Sequence, residues 1–577
     1  MQKGTGETDL NFRDLFTPLT NTKIFFFLLI IGFITFFPTL FNNFLGDDYY
    51  LLLTNPLVTS IHNIPKLFFG SIGSQGGQFA GLYYRPLMLT YITILNSFFG
   101  PNPFFFHLIQ LIIHIMNAFL VFKIFTNFFR KNISFVLALI FLIHPINVEA
   151  VVYVAAIQEI LFMFFGLLMI NFIFVKSQTI SFLAILLLTP LSLLSKETGI
   201  LLVITLLFYY LLFKRIKLIP YLSVSFLGIC IYLLLRIGVA HVFFSKQPPN
   251  LITNTDIFHR VLTIPAMLQY YFSNLLFPLH LVMPQVWIVK NLTLSNFYMS
   301  LLFDLIFFGA IIFFGIKLKS SNKNNSRAFI FFFIWFLIGI IIHLQFIPLD
   351  YIVSDRWFYF PIIGFLGISG VIYSNIRNIS TEKTKLFNII FICLILLLSV
   401  RTFIRTTNWK GGLTLWGHDI KYSKNNMEIE NAYGFALIGA RNYKDARIHL
   451  EKSVSIYPNS SNLTNLGAAC FHLGDVNKAE FYFRKAVVFN DYYLPFENLV
   501  ILLYSKKDYQ KTQKFLAVAL KRFPYSAKLW YIGALVEYRL GNNNNAINSA
   551  KKSYLLSPNG TTLEVYKKLK DNLPLEQ

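Results

Sequence analysis

The chain has 577 residues, 55% of them apolar and only 13% charged, with 65 phenylalanines, and this composition excludes an ordinary soluble domain. Lysine and arginine exceed the acids by 23, but they gather in short loops, at Arg130-Lys131, Lys214 to Lys217, Lys317 to Arg327 and Arg377 to Lys385. That is the charge pattern of cytoplasmic loops, so it calls for no nucleic-acid partner.

Residues 1–22 are polar and expected on the cytoplasmic side. From Lys23 to Leu45 the chain is apolar enough to cross a bilayer once, and Asp47-Asp48 follow at its exit. Two adjacent carboxylates repel, and they persist where one is wanted as a base or where a cation or donor-rich substrate arrives between them. The first external loop, 46–103, holds this acid pair, a Gly-rich turn (70–81) and an amphipathic piece beginning Tyr83-Tyr84-Arg85-Pro86-Leu87, which would lie along the membrane surface.

Further spans are expected at about 104–127, 133–147, 157–175, 179–195, 198–213 and 218–238. Counting from an inside N-terminus puts Arg130-Lys131, Lys176 and Lys214 to Lys217 all inside, as the charge rule asks. The apolar segment 262–282 either crosses or dips in and returns. The second reading keeps the basic loops at 317–327 and 377–385 inside and is preferred. Spans at about 299–316, 328–347, 357–375 and 386–402 complete a count of eleven, with the C-terminal region outside.

That region is repetitive. Ala446, Ala479, Thr512 and Ala546 occupy equivalent points 33, 33 and 34 residues apart, and Leu473-Gly474 and Leu540-Gly541 mark turns between paired helices. This is the tetratricopeptide signature, and the concave face of such a stack can hold an extended peptide or a partner protein. The expected fold is all-α: a polytopic helical membrane domain (1–404), a linker (405–430) and an α-solenoid of tetratricopeptide repeats (431–577).

Ionisable side chains beside a span are costly without a partner, and here they collect at the external ends of several spans. Asp47 and Asp48 follow the first; Arg85 lies in the first loop; His144 and Glu149 close the third; Lys196 and Glu197 separate the fifth and sixth; Asp355 and Arg356 precede the tenth. Each has a plain structural explanation alone, such as a solvated turn or a local ion pair. His107 and His114, seven residues apart on one face of the second span, read as hydrogen-bonded packing residues rather than metal ligands. Together the polar groups make a two-signed cavity suited to a lipid-linked anion, with cations for a phosphate and a carboxylate to take a hydroxyl proton. No nucleotide-binding motif accompanies them. The three cysteines have no zinc or disulfide spacing.

Taken in order, Asp47-Asp48, Tyr84-Arg85-Pro86-Leu87, Pro103 with His107 and His114, His144-Pro145 with Glu149, Ser195-Lys196-Glu197-Thr198-Gly199, Asp355-Arg356-Trp357-Phe358-Tyr359-Phe360-Pro361 and Arg405-Thr406-Thr407-Asn408-Trp409 resemble the GT-C membrane glycosyltransferases. Within that class the resemblance is to the transmembrane and tetratricopeptide-repeat-containing relatives of protein O-mannosyltransferases. It implies an inverting transfer of a sugar, typically mannose, from a polyprenyl-phosphate carrier to a hydroxyl, such as a protein Ser or Thr, on the non-cytoplasmic side. It casts Asp47 as general base and Asp48 as orienting the acceptor or tuning its neighbour. Arg85, Lys196 and Arg356 are then candidates for the carrier phosphate, His144 and Glu149 for the sugar pocket, and Glu197 and Asp355 for the same substrate-binding group.

The chain departs from the family at Gln110, where relatives often carry asparagine, and at Gln158-Glu159, where some carry an arginine-aspartate pair. No cofactor is implied beyond the lipid-linked donor. Some relatives use a divalent metal, but the acid pair alone supplies too few ligands to argue for one. The expected partners are the lipid carrier and a protein or peptide acceptor on the repeats. The expected location is a bacterial inner membrane with the repeats outside, or the endoplasmic reticulum in a eukaryote. Two other readings stand beside the enzyme: a non-catalytic membrane-anchored scaffold, and a transporter of lipid-linked sugars, which would place its ionisable groups nearer mid-membrane.

Overall fold

A computed structural model of the chain describes residues 19–72, 83–243, 250–283, 285–319, 323–375, 381–423, 425–489 and 493–575. Much of the Gly-rich turn at 70–81 and parts of the basic loops at 317–327 and 377–385 lie outside these residues. The chain divides into two compact units, residues 1–70 with 84–415 and residues 71–83 with 416–577.

The first unit is helical. Its main helices are α1 (Asn21–Phe36), α2 (Pro86–Phe99), α3 (Pro103–Phe125), α4 (Lys131–Ile143), α5 (Val148–Val152), α6 (Ile157–Phe172), α7 (Gln178–Ser195), α8 (Ile200–Phe213), α9 (Leu218–Leu233), α10 (Ile257–Leu276), α11 (Met299–Lys319), α12 (Lys323–Ile341), α13 (Pro361–Ser374) and α14 (Thr381–Asn408). Among the described residues, eight helical stretches are long and apolar enough to cross a membrane, and α4 with α5, bent by 48°, makes a ninth, broken one. Two shorter apolar helices, Glu197–Phe213 and Pro361–Ser374, lie where the remaining two of the eleven expected spans were placed. Extended structure among the described residues is limited to one bridge, Gln285 with Val353.

Local sequence explains where helices start and stop. Asn102 caps α3 by accepting from the Phe104 amide, with Pro103 at the first position, and Ser177 caps α7 through the Ile180 amide. Pro145 has no amide hydrogen to continue α4, so the chain turns at His144 and leaves helix-end carbonyls that a low-dielectric surrounding cannot solvate. Side chains supply the missing donors. Asn147 Nδ2 gives to the Phe141 carbonyl at 2.7 Å, His114 Nε2 meets the Leu142 carbonyl at 2.9 Å, and Thr402 Oγ1 gives to Ile143 at 2.6 Å. One helical turn along α3, Gln110 Nε2 donates to the carbonyls of Ala150 and Tyr153 at 2.9 and 2.8 Å. His107, Gln110, His114 and Asn117 thus form a fully buried polar stripe along α3, from which Gln110 holds the broken segment 144–156.

The second unit is the repeat stack: α15 (Met427–Gly439) and α16 (Tyr443–Ile456), α17 (Ser460–His472) and α18 (Val476–Val487), α19 (Leu494–Ser505) and α20 (Tyr509–Arg522), α21 (Ala527–Arg539) and α22 (Asn543–Leu556), then α23 (Gly560–Lys570). Ala446, Ala479, Thr512 and Ala546 are each fully buried, which is why small residues recur at that spacing. The partner helix approaches closely as well. A Cβ on Gly434 would fall 2.5 Å from Leu450, and one on Gly467 2.6 Å from Phe483. Turns between paired helices need a left-handed residue, and Gly474 (φ 83°) and Gly541 (φ 80°) supply it.

Candidate active site

Within the first unit the polar residues meet where helix ends come together. Asp47 lies in the turn after α1, and its amide donates to the Tyr153 hydroxyl at 2.8 Å. Tyr153 sits between α5 and the short 154–156 turn, which the Gln110 bonds fix. Burial raises the Asp47 carboxyl above its ordinary value, while the Arg356 guanidinium and the Tyr153 hydroxyl pull it back. Asp48 is buried deeper, and both of its oxygens are taken by backbone amides, from Leu45 at 2.9 Å and Ala155 at 2.7 Å. Burial pushes its carboxyl up against those two bonds.

Arg356, in the 355–359 turn before α13, is a cation whose charge bears on Asp47. Its Nη1 donates to Glu149 Oε1 at 2.8 Å, its amide donates to Glu149 Oε2 at 3.2 Å, and Ser354 Oγ gives to Glu149 Oε1 at 2.6 Å. The guanidinium also lies against the rings of Tyr153 and Tyr351, 5.9 and 5.7 Å from their centroids. Glu149, 2% exposed, therefore holds the guanidinium through Oε1 and the Arg356 backbone through Oε2.

Lys196 is buried at the end of α7 and pairs with Glu159 near the start of α6. Arg85 and Arg356 both bear on it electrostatically. Glu197 Oε2 accepts from Arg85 Nε at 2.8 Å; its Oε1 accepts from the Tyr84 amide at 3.2 Å and from Arg236 Nη1 at 3.3 Å. Gly199 lets this turn seat directly on α7, where a Cβ would fall 2.8 Å from the Ser192 carbonyl.

The structure thus brings Asp47, Asp48, Glu149, Lys196, Arg356, Arg85 and Glu197 into one polar region. Two further expected site residues are engaged with neighbouring segments. His144 spends both ring nitrogens on the backbone, with Nε2 on the Leu275 carbonyl at 3.0 Å and Nδ1 accepting from the Ile146 amide at 3.2 Å. Asp355 accepts from the Tyr270 hydroxyl at 2.7 Å, tying its turn to α10, where Tyr271 also donates to the Ser354 carbonyl at 3.2 Å. So α10, which covers most of the ambiguous 262–282 segment, positions the Arg356 turn.

Sequence reading passed over Glu159 as a partner, Tyr153, Tyr351, Arg236 and His343. The signal for Glu159 and Arg236 was present, a lone charge in an apolar run. Among the described residues no group of three or more His, Cys, Asp or Glu is placed to hold a metal ion.

Residues 84–238 match the family model for dolichyl-phosphate-mannose-protein mannosyltransferase, and residues 461–487 match a tetratricopeptide repeat. Protein O-mannosyl-transferase F38B6.6 of Caenorhabditis elegans is 24% identical over 75% of this chain and 62% of its own length. Protein O-mannosyl-transferase TMTC3 of Homo sapiens is 24% identical over 78% of this chain and 54% of its own. The crystal structure of YrrB, a TPR protein with an unusual peptide-binding site, is 18% identical, covering 30% of this chain and 87% of that one at a TM-score of 0.24. The chain spans between about half and three-fifths of the length of the relatives it matches. It is a polytopic helical membrane protein with a tetratricopeptide-repeat unit, and over three-quarters of its length it is similar to protein O-mannosyl-transferases.

Proposed function

We propose that the chain is an inverting glycosyltransferase that moves mannose from a polyprenyl-phosphate carrier to a protein hydroxyl on the non-cytoplasmic side of its membrane. The observation that carries this reading is the meeting of the Asp47 carboxylate with Arg356 around Tyr153, beside two further cation–carboxylate sets. The acceptor oxygen attacks the anomeric carbon from the face opposite the leaving group. The bond from that carbon to the carrier's phosphate oxygen breaks with its electron pair staying on the phosphate, and the acceptor proton passes to Asp47. Arg356, Lys196 and Arg85 stabilise the charge growing on the phosphate; Glu149, Glu159 and Glu197 hold those cations at fixed angles. Asp48 keeps the turn that presents Asp47. The basic loops at 130–131 and 214–217 put the opposite helix ends in the cytoplasm, and the same count carries the repeats to the acceptor side.

Mass spectrometry of glycoproteins from cells carrying wild type, Asp47→Ala or Asp48→Ala at equal protein level tests the reading. Loss of O-linked hexose with Asp47→Ala is expected. Unchanged glycosylation in both mutants would leave a membrane-anchored scaffold instead.

A further inference from the structure

His343 follows α12 and is 8% exposed. Its ring stacks on the Trp357 indole, with centroids 4.7 Å apart and planes 7° from parallel, and Trp357 is the neighbour of Arg356. The stack fixes the imidazole plane beside the cationic turn. Its Nδ1 is buried and has no hydrogen-bond partner among the described residues. A buried polar atom left so costs free energy, and a fold that keeps one calls for a reason, such as a bound anion or water or a role in catalysis.

The charges facing this ring from neighbouring elements are Lys196, from the end of α7, and Arg356, from the turn before α13; with burial they hold the imidazole well below its ordinary pKa, hence neutral. A neutral imidazole that feels two cations has no carboxylate to serve. Glu149 is engaged with Arg356 and Glu159 with Lys196. What the position can do is give an N–H to an anion that the same two cations attract.

We infer that His343 donates a ring N–H to the phosphate of the lipid carrier, as the uncharged member of a phosphate-binding group whose cations are Lys196 and Arg356. The inference rests on the proposed function in taking a lipid-linked phosphate as the substrate. It adds a donor that moves no proton in the reaction and that recognises the phosphate both before and after the sugar leaves.

The test measures equilibrium binding, without turnover, of a short-chain polyprenyl monophosphate to the purified full-length chain, with the corresponding uncharged polyprenol as control. His343→Phe keeps a ring on Trp357 and removes the N–H; His343→Asn returns an N–H without the ring. His343→Phe is expected to weaken monophosphate binding about tenfold, the loss of one hydrogen bond to a charged group. Polyprenol binding should not change, and His343→Asn should recover to within about threefold of wild type. Wild-type monophosphate affinity in His343→Phe, an equal loss for the polyprenol, or no recovery in His343→Asn would overturn the assignment. Because no transfer is measured, the assignment can fail while Asp47-dependent glycosylation stands, and the reverse result, intact phosphate binding with glycosylation indifferent to Asp47, would sink the enzyme and spare the site.

Discussion

The two adjacent aspartates differ in what their oxygens touch. Asp48 accepts one backbone amide on each oxygen, so Asp48→Ala strands the amides of Leu45 and Ala155 and should cost roughly 1–3 kcal/mol for each, seen as a lower unfolding temperature in detergent. Asp47→Asn removes no such bond. It should leave the unfolding temperature near wild type while lowering the transfer rate about 10²- to 10⁴-fold, the range for loss of a general base. The pH dependence separates them further. A base acts when deprotonated, and burial raises the Asp47 carboxyl, so transfer should fall with decreasing pH at a midpoint above the ordinary carboxylate value of about 4. A rate profile flat down to that value would speak against Asp47 as the base. The adjacency of the pair was plain in the sequence; the division of labour was not, because it depends on the Ala155 amide and Tyr153, more than a hundred residues away.

At the scale of elements, repeats of 33 to 34 residues are legible because each repeat makes the same helix contacts, so small residues fall at one phase. The turns of the repeats carry a prediction. Where Gly474 and Gly541 adopt positive φ, the equivalent positions in the other two pairs are Arg441 (φ 60°) and Lys507 (φ 61°), which pay for a left-handed backbone with steric strain. Lys507→Gly should therefore stabilise the repeat unit by about 0.5–1 kcal/mol, measured by thermal unfolding, after the greater chain entropy of glycine is subtracted. An unchanged or lower unfolding temperature would show that the strain is relieved elsewhere. The broken helix at Pro145 was legible as a break, since proline cannot continue α4. That Asn147, His114 and Thr402 would satisfy the freed carbonyls was not, because two of those donors come from helices distant in sequence. For the same reason the bond of His144 to the Leu275 carbonyl was not legible.

For the whole molecule, the pattern of apolar runs carried most of the helical architecture, since lipid permits little beyond helices. The polar region was legible as a convergence of charges at helix ends. Its internal pairing was not, because Lys196 finds Glu159 and Glu149 finds Arg356 only once the helices are packed. Sugar transfer from a lipid phosphate in this region is the proposal on which the other roles depend. It is tested most directly by supplying the purified full-length chain with polyprenyl-phosphate mannose and a panel of Ser- and Thr-containing peptides. Mannosylated peptide with the anomeric configuration inverted is expected, and its loss in Asp47→Ala. No transfer by the wild-type chain, or equal transfer by Asp47→Ala, would contradict it.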